Sequence, residues 1–268
     1  MDKRPIGVFD SGLGGLTCIK EIMRVMPNED VIYFGDTGRV PYGPRGTDTI
    51  IKYVRQDIRF LQSFDIKMII IACGTASSAA LPWLADEISI EMTGVVDPAV
   101  KKAVEMTKNG KIGVLGTAGT VRSGKYPEQI KRLMPNAEVV PKACPMFVPL
   151  VENGFADSEA ARLIAEEYLE EIREAGVDTL ILGCTHYPLL RRVIRGIVGD
   201  GVSLIDSGAA AADAAYDIMK KKNLLSGDGQ GSIRYFVSDS TEDFARLGTL
   251  FLEKPIGGTV ERIDIEKY

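Results

Sequence analysis

A short buried strand that closes on a cysteine occurs twice in this chain, and that repetition restricts the fold more than any other feature. Ile6-Gly7-Val8-Phe9-Asp10-Ser11-Gly12 is followed by the run Met68-Ile69-Ile70-Ile71-Ala72, which ends on Cys73-Gly74-Thr75. Ile112-Gly113-Val114-Leu115-Gly116-Thr117 is followed by Thr179-Leu180-Ile181-Leu182-Gly183, which ends on Cys184-Thr185-His186. The step from first strand to cysteine is 67 residues in one copy (6 to 73) and 72 in the other (112 to 184). Each cysteine stands where a buried strand stops and a turn into a helix begins, and in open α/β sheets ligands bind at that edge. Two equivalent halves, each offering one thiol, can face one substrate from opposite sides, a geometry suited to moving a proton across a carbon.

Short β-branched runs alternate with helical patterns throughout, the mark of βα units around parallel sheets. Strands are expected at Ile6–Phe9, Val31–Gly35, Met68–Ala72, Met92–Val96, Ile112–Leu115, Glu138–Pro141, Thr179–Leu182, Ser203–Ile205 and Ile233–Val237. Leu16, Ile19, Ile22, Met23 and Met26 recur at helical period on one face. Ser158 is expected to open a helix running to about Ala175, with Leu163, Ile164, Tyr168 and Ile172 as its buried stripe. Ser240, followed by Glu242 and Asp243, reads as another helix start. No long polar linker interrupts the chain, so the joints between halves are expected at Val96-Asp97-Pro98 and Asp206-Ser207-Gly208. The expected fold is α/β, with two pseudo-symmetric open parallel-sheet domains of flavodoxin-like type and the active site in the cleft between them. Residues 1–97 with 207–268 form the first domain and carry Cys73; residues 98–206 form the second and carry Cys184. Two chain crossings make a natural hinge.

A chain of 268 residues suffices for two such cores. With net charge −5 and no basic run, it lacks the electrostatic footprint of a nucleic-acid binder. No apolar run approaches membrane-spanning length, and no secretory h-region follows Met1. Cysteines 18, 73, 144 and 184 form neither a C-x-x-C pair nor a zinc spacing, so free thiols in a reducing cytoplasm are expected. With a single histidine and no carboxylate cluster, no metal site is expected.

A thiol titrates near 8.5, and at a helix N-terminus its thiolate is favoured by the dipole and by free backbone N–H groups. Any single cysteine is more often a small buried hydrophobe; the equivalent placement of Cys73 and Cys184 reverses that preference. Cys18 and Cys144 have no such equivalence and read as packing residues. Asp10-Ser11-Gly12-Leu13-Gly14-Gly15 is a glycine-rich strand-to-helix turn that presents N–H groups to an anion. It is not G-x-G-x-x-G and no P-loop lysine follows, so a small carboxylate ligand fits better than a nucleotide. Asp10 either holds an ammonium group, polarises a neighbouring acid, or caps the turn. Pro41-Tyr42-Gly43-Pro44 reads as a rigid turn with an exposed tyrosine. Thr117 and Thr120 parallel Asp10-Ser11-Gly12 in the second half and offer hydroxyls. Glu152 follows an apolar stretch, where a carboxylate can have a raised pKa, although most such glutamates are simply solvated. His186, the only histidine, stands beside Cys184 as a proton partner or a structural group.

Taken together these residues resemble the glutamate racemases of the aspartate/glutamate racemase family over essentially the whole chain. The resemblance rests on Ile6 to Gly15, Gly35-Asp36-Thr37, Pro41-Tyr42-Gly43, Ala72-Cys73-x-Thr75-Ala76, Val148-Pro149-Leu150-Val151-Glu152 and Gly183-Cys184-Thr185-His186-Tyr187-Pro188. It implies cofactor-independent interconversion of L- and D-glutamate for peptidoglycan synthesis. In that family the thiol corresponding to Cys73 takes the α-proton from D-glutamate and the one corresponding to Cys184 takes it from L-glutamate. Asp10, His186 and Glu152 are implied to assist the thiols. Substrate contacts are implied at Asp10, Ser11, Pro41, Tyr42, Gly43, Gly74, Thr75, Thr117, Thr120, Thr185 and His186. The chain departs from the family at Gly74, where an asparagine is expected to contact the substrate. The missing amide is expected to cost a charge-assisted hydrogen bond, on the order of 1.5–3 kcal/mol. Other readings are an aspartate or broad-specificity racemase, an amino-acid-binding homologue impaired by Gly74, and a dithiol redox protein. A homodimer is compatible with all of them.

Overall fold

The computed structural model describes residues 1–84 and 87–268. Among these described residues ten strands are seen: β1 (Ile6–Asp10), β2 (Val31–Gly35), β3 (Met68–Ile71), β4 (Glu91–Gly94), β5 (Lys111–Gly116), β6 (Glu138–Ala143), β7 (Thr179–Leu182), β8 (Ser203–Asp206), β9 (Ile233–Val237) and β10 (Val260–Arg262). Each expected strand forms, its ends within two residues of expectation. All pairings are parallel, in one six-stranded sheet of order β10-β9-β2-β1-β3-β4 and one four-stranded sheet of order β6-β5-β7-β8. β2-β1-β3-β4 and β6-β5-β7-β8 have the same local order, so the repeated device seen in the sequence is a repeated half-sheet. In both, the order reverses between the first and third strands, and the crevice outside their carboxyl ends is the ligand-binding switch point of a doubly wound sheet.

Near-continuous apolar runs are what strands buried on both faces require. Ile6, Val8, Met68 and Ile70 face a core that also takes in Leu115, Leu180 and Leu182 of the second sheet. Phe9, Ile69 and Ile71, on the alternate pleat, face a separate core. Ile112, Val114 and Ile181 line a third, on the far side of the second sheet. The largest core thus crosses from one half to the other. The helices Leu16–Val25 and Ser207–Lys221 pack against each other inside it, so the expected hinge is bridged by buried apolar surface.

Both expected joints are strand-to-helix turns. Val96 is not the end of β4 but the start of the helix Val96–Met106, whose first turn holds Asp97 where the dipole favours it. Asp206 caps the helix Ser207–Lys221, accepting from the Gly208 and Ala209 N–H groups at 2.9 and 3.0 Å. Ser158 and Ser240 cap their helices as expected, each accepting an N–H three residues on. The stripe on the helix Glu159–Glu174 differs from expectation: Ala161, Ala165, Leu169 and Ile172 are buried, while Leu163 is 54% exposed. Alanines form the inward face because the helix lies close against its neighbours, and the larger Leu163 is left outside. β10 was not expected; three residues, two of them charged and exposed, leave no periodic signal on an edge strand. No described helix is long and apolar enough to cross a membrane.

Lys67, just before β3, has a side chain with no exposed surface, and its Nζ lies 2.5 Å from Glu29 Oε2. It also donates to the Asp2 carbonyl at 2.6 Å. Glu29 accepts from the Ser226 N–H at 2.7 Å, tying the returning C-terminal segment to the edge of β2. Removing one partner of a buried pair leaves an uncompensated charge. Lys67→Met is therefore expected to lower unfolding free energy by about 3–5 kcal/mol, with much of the loss recovered in Lys67→Met/Glu29→Leu, as read by urea denaturation.

Candidate active site

The carboxyl ends of β1 and β3 face those of β5 and β7 across a cavity of about 430 Å³. Ser11, Cys73, Gly74 and Thr75 line it from the first half; Thr117, Glu152, Cys184, Thr185 and His186 line it from the second. Pro41, Tyr42 and Gly43 close one end. Of the residues singled out in the sequence, only Asp10 and Thr120 stand behind this lining rather than in it.

On the first side, Cys73 is the N-cap of the short helix Gly74–Ala79, and its sulfur accepts the Ala76 N–H at 3.4 Å. Its thiol points to Ser11 Oγ at 3.5 Å. The helix position was expected to favour a thiolate. Instead burial, and then the nearby Asp10 charge, push the Cys73 thiol up to about 12, against the weaker pull of Ser11 and the Ala76 N–H. Asp10 is 1% exposed. Its carboxyl accepts the Gly12 N–H at 2.9 Å and the Thr185 hydroxyl at 3.5 Å. Burial raises its pKa, and His186 and the loop N–H groups oppose that rise.

On the second side the chain does not enter an α-helix directly. Cys184 is followed by the 3₁₀ turn Tyr187–Leu190, with Pro188 near its start, and only then by the helix Arg191–Val198. That tighter turn brings His186 back beside the thiol. Cys184 Sγ lies 3.9 Å from His186 Nδ1, and His186 Nε2 lies 2.9 Å from Glu152 Oε1. Burial alone would lower the imidazole pKa. Hydrogen bonds to Cys184 and Glu152 outweigh it and push His186 to about 10, so the ring is cationic at neutrality. No lysine or arginine is among the described residues lining the cavity, which leaves His186 as its one cation.

Hydroxyls join the two sides. Thr75 Oγ1 lies 2.9 Å from Thr117 Oγ1, which lies 3.1 Å from Thr120 Oγ1. Thr120 therefore reaches the cavity only through Thr117. Thr17 donates to the Thr185 carbonyl at 2.9 Å and steadies the second cysteine's turn from the first half.

Tyr42 corrects an expectation. It is 1% exposed, not exposed, because its hydroxyl donates into a buried carboxylate pair, to Asp36 and, at 3.0 Å, to Asp57. Arg39 bridges the same two acids, at 2.6 Å to Asp36 and 3.0 Å to Asp57. Burial and the Asp36 charge push the Asp57 carboxyl well above the usual carboxylate range, Arg39 opposing. Tyr42 is thus a fastener beneath the turn, and the turn offers its backbone and prolines to the cavity. Sequence reasoning missed this cluster, although Gly35-Asp36-Thr37 lay within the resemblance. Cys144 was read as packing; it is fully buried in the largest core, yet it also borders the cavity, with Val148 and Pro149 beyond it. Its position just past the end of β6 was the available signal.

The sequence pattern of the Asp/Glu/Hydantoin racemase family matches residues 16–215. A glutamate racemase of Geobacter metallireducens is 48% identical over 258 residues, covering 96% of each chain. The crystal structure of a glutamate racemase isoform from Bacillus anthracis superposes with a TM-score of 0.95 at 36% identity, covering 98% of both chains. That of the Francisella tularensis glutamate racemase in complex with D-glutamate gives 0.93 at 36% identity over the full length of both.

Residue-resolved alkylation with iodoacetamide should show Cys73 reactivity still climbing above pH 10, with Asp10→Asn moving the midpoint down. A parental midpoint at the ordinary thiol value would contradict this. His186 carries a folded-state pKa of about 10 against 6.5 unfolded. Its stabilising contribution is full below about 6.5, declines across that window, and is gone above about 10. Unfolding free energy should therefore fall between pH 7 and 10, and less steeply in Glu152→Gln.

Proposed function

The chain belongs to the Asp/Glu/Hydantoin racemase family, and from that premise we propose that it interconverts L- and D-glutamate by two-thiol proton transfer at the α-carbon. One observation carries the reading: two cysteines from equivalent switch points of two half-sheets border a single cavity. One sulfur, as thiolate, takes the α-proton. The other, as thiol, delivers its proton to the opposite face. Each turnover moves one proton on from substrate to one sulfur and one proton from the other sulfur to product, so the pair ends with its roles exchanged.

Cys73, held protonated by burial and Asp10, is suited to deliver. Cys184 has His186 Nδ1 within reach to exchange a proton, and Glu152 holds the ring's other nitrogen, which fixes its orientation. An α-proton flanked by a carboxylate is weakly acidic, and stabilisation of the carbanionic transition state falls to fixed dipoles and the His186 cation lining the cavity. Substrate carboxylates would meet the hydroxyls of Ser11, Thr75, Thr117 and Thr185 and the Gly43 backbone rather than a cationic side chain. The domain division at 97/98 and 206/207 is part of the same reading, since each half-sheet then brings one thiol. D-Glutamate so formed would serve peptidoglycan synthesis, and four free thiols suit a reducing cytoplasm.

Circular dichroism of L-glutamate and L-aspartate incubated side by side tests the assignment, with loss of optical activity expected for glutamate. Cys73→Ser and Cys184→Ser should each lower racemisation by about 10³-fold or more. Full activity in either would refute the two-thiol mechanism, and unchanged optical rotation with the parent would favour a binding homologue.

A further inference from the structure

Three glycines follow Asp10 in the loop that closes β1, and the space left by their missing side chains is filled differently in each. Gly12, Gly15 and Ser11 turn their N–H groups toward Asp10, inside their own half. A Cβ on Gly15 would lie 2.5 Å from Asp10 Cβ, and one on Gly12 would meet Val40 Cγ1 at 2.9 Å. At Gly14 the space belongs to the other half: a Cβ there would lie 2.1 Å from Thr185 Oγ1, 2.5 Å from His186 Nδ1 and 2.7 Å from His186 Cε1. Only a hydrogen fits. Neither side is free to retreat. Thr17 Oγ1 lies 2.9 Å from both the Gly14 and the Thr185 carbonyl oxygens and pins the two backbones together. His186 is held at Nε2 by Glu152 at 2.9 Å, and its ring stands edge-on to Phe251 with centroids 5.2 Å apart. Gly14 is not among the residues with positive φ, so backbone conformation offers no competing reason for a glycine.

We propose that Gly14 is a positioning residue for the proton transfer: it is the bare seat on which the His186 ring and the Thr185 hydroxyl lie, and it sets the ring edge that faces Cys184. The inference rests on the two-thiol reading above. The seat meets the ring at Nδ1 and Cε1, and Nδ1 is the atom 3.9 Å from Cys184 Sγ. It meets Thr185 at the hydroxyl that lies 3.5 Å from Asp10 Oδ1. A carbon–oxygen contact ordinarily needs about 3.3 Å, so a methyl group at 14 moves that hydroxyl by about 1 Å, and the ring by a similar amount. With Nε2 anchored on Glu152, the ring swings and carries Nδ1 off its line to the sulfur. A displacement of that size costs on the order of 10²-fold in rate when reacting groups must be aligned. Cys184, Glu152 and Asp10 are the titratable groups facing the ring among the described residues. Burial works against the charged imidazole; the Cys184 contact leads those that raise its pKa, ahead of Glu152. Losing that contact leaves a signature on the ring itself.

The test is Gly14→Ala, read on the rate and on the ring. Racemisation should lose about 10²-fold in kcat. His186 is the only histidine, so in the untagged protein its Cε1–H proton resonance reports this titration alone. The midpoint, pushed up to about 10 in the parent, should fall by about one unit or more in the variant. Gly196→Ala, on a helix position with nothing within 4 Å of the added carbon, is the control and should match the parent in both readings. Thr17→Val removes the pin and should lose about 5- to 10-fold in kcat with a smaller fall in the midpoint, while Thr17→Ser restores the hydroxyl and should recover both. Parental kcat or a parental midpoint in Gly14→Ala would overturn the proposal. So would a Thr17→Ser variant as impaired as Thr17→Val. If the parent fails to racemise glutamate yet the midpoint falls in Gly14→Ala, the seat stands and the racemase reading fails. If Gly14→Ala does not fold, Thr17→Val decides: a reduced kcat with a lowered midpoint supports the seat, and parental values overturn it.

Discussion

Asp10 sits at the end of β1 with 1% of its surface exposed, and much of the chemistry around the cavity follows from burying an acid there. A buried acid without partners neutralises itself, because desolvation disfavours the charged form. The Gly12 N–H, the Thr185 hydroxyl and the cationic His186 counter that tendency, and two of those three come from the opposite half. His186 in turn is kept cationic by Glu152 and Cys184, while Cys73 is kept as a thiol by burial and Asp10. Asp10 beside Cys73 and the His186–Glu152 pair beside Cys184 therefore give unlike neighbours to two thiols that the topology places equivalently. The repeated half-sheets supply the symmetry, and buried charge removes it.

Much of this was legible in the sequence, for identifiable reasons. β-branched runs such as Met68–Ile71 and Thr179–Leu182 announce strands buried on both faces, and a cysteine closing each run marks the switch point. The residues whose surroundings are local came through: Cys73 capping its helix, Ser158 and Ser240 capping theirs. Those whose surroundings come from afar did not. Tyr42 between two prolines looks like a surface turn until Asp57, 15 positions on, and Ser238, about 200 positions on from Asp36, are folded against the same acid pair. Leu163 has the right period for a buried stripe, but the neighbours chose the alanine face. The acidity of Cys73 was misjudged because a helix dipole can be read from sequence and desolvation cannot.

The buried cluster under the Pro41–Gly43 turn has a comparable logic. Asp36 accepts from Ser238 at 2.8 Å as well as from Arg39 and Tyr42, and Arg39 reaches Glu266 at 3.3 Å. The donors to this acid pair come from two distant stretches, Arg39 with Tyr42 and Ser238, while the C-terminal Glu266 holds Arg39 from outside. A turn built from prolines and glycine has few side-chain contacts of its own, and the cluster provides the fixed base that lets its backbone border the cavity.

The path of the chain through the first sheet has a consequence for its birth on the ribosome. β5 to β8 are contiguous and can pair as soon as they emerge, whereas β2 lies beside β9, which is made about 200 residues later. Domains ordinarily mature in order of synthesis; here the middle of the polypeptide can be complete while its beginning still shows an unpaired strand edge. That edge has to be shielded until β9 arrives. The stretch carrying β9 and β10 is thus what seals the sheet bearing Cys73, and a nascent chain stopped short of it would carry both sulfurs with the six-stranded sheet unfinished.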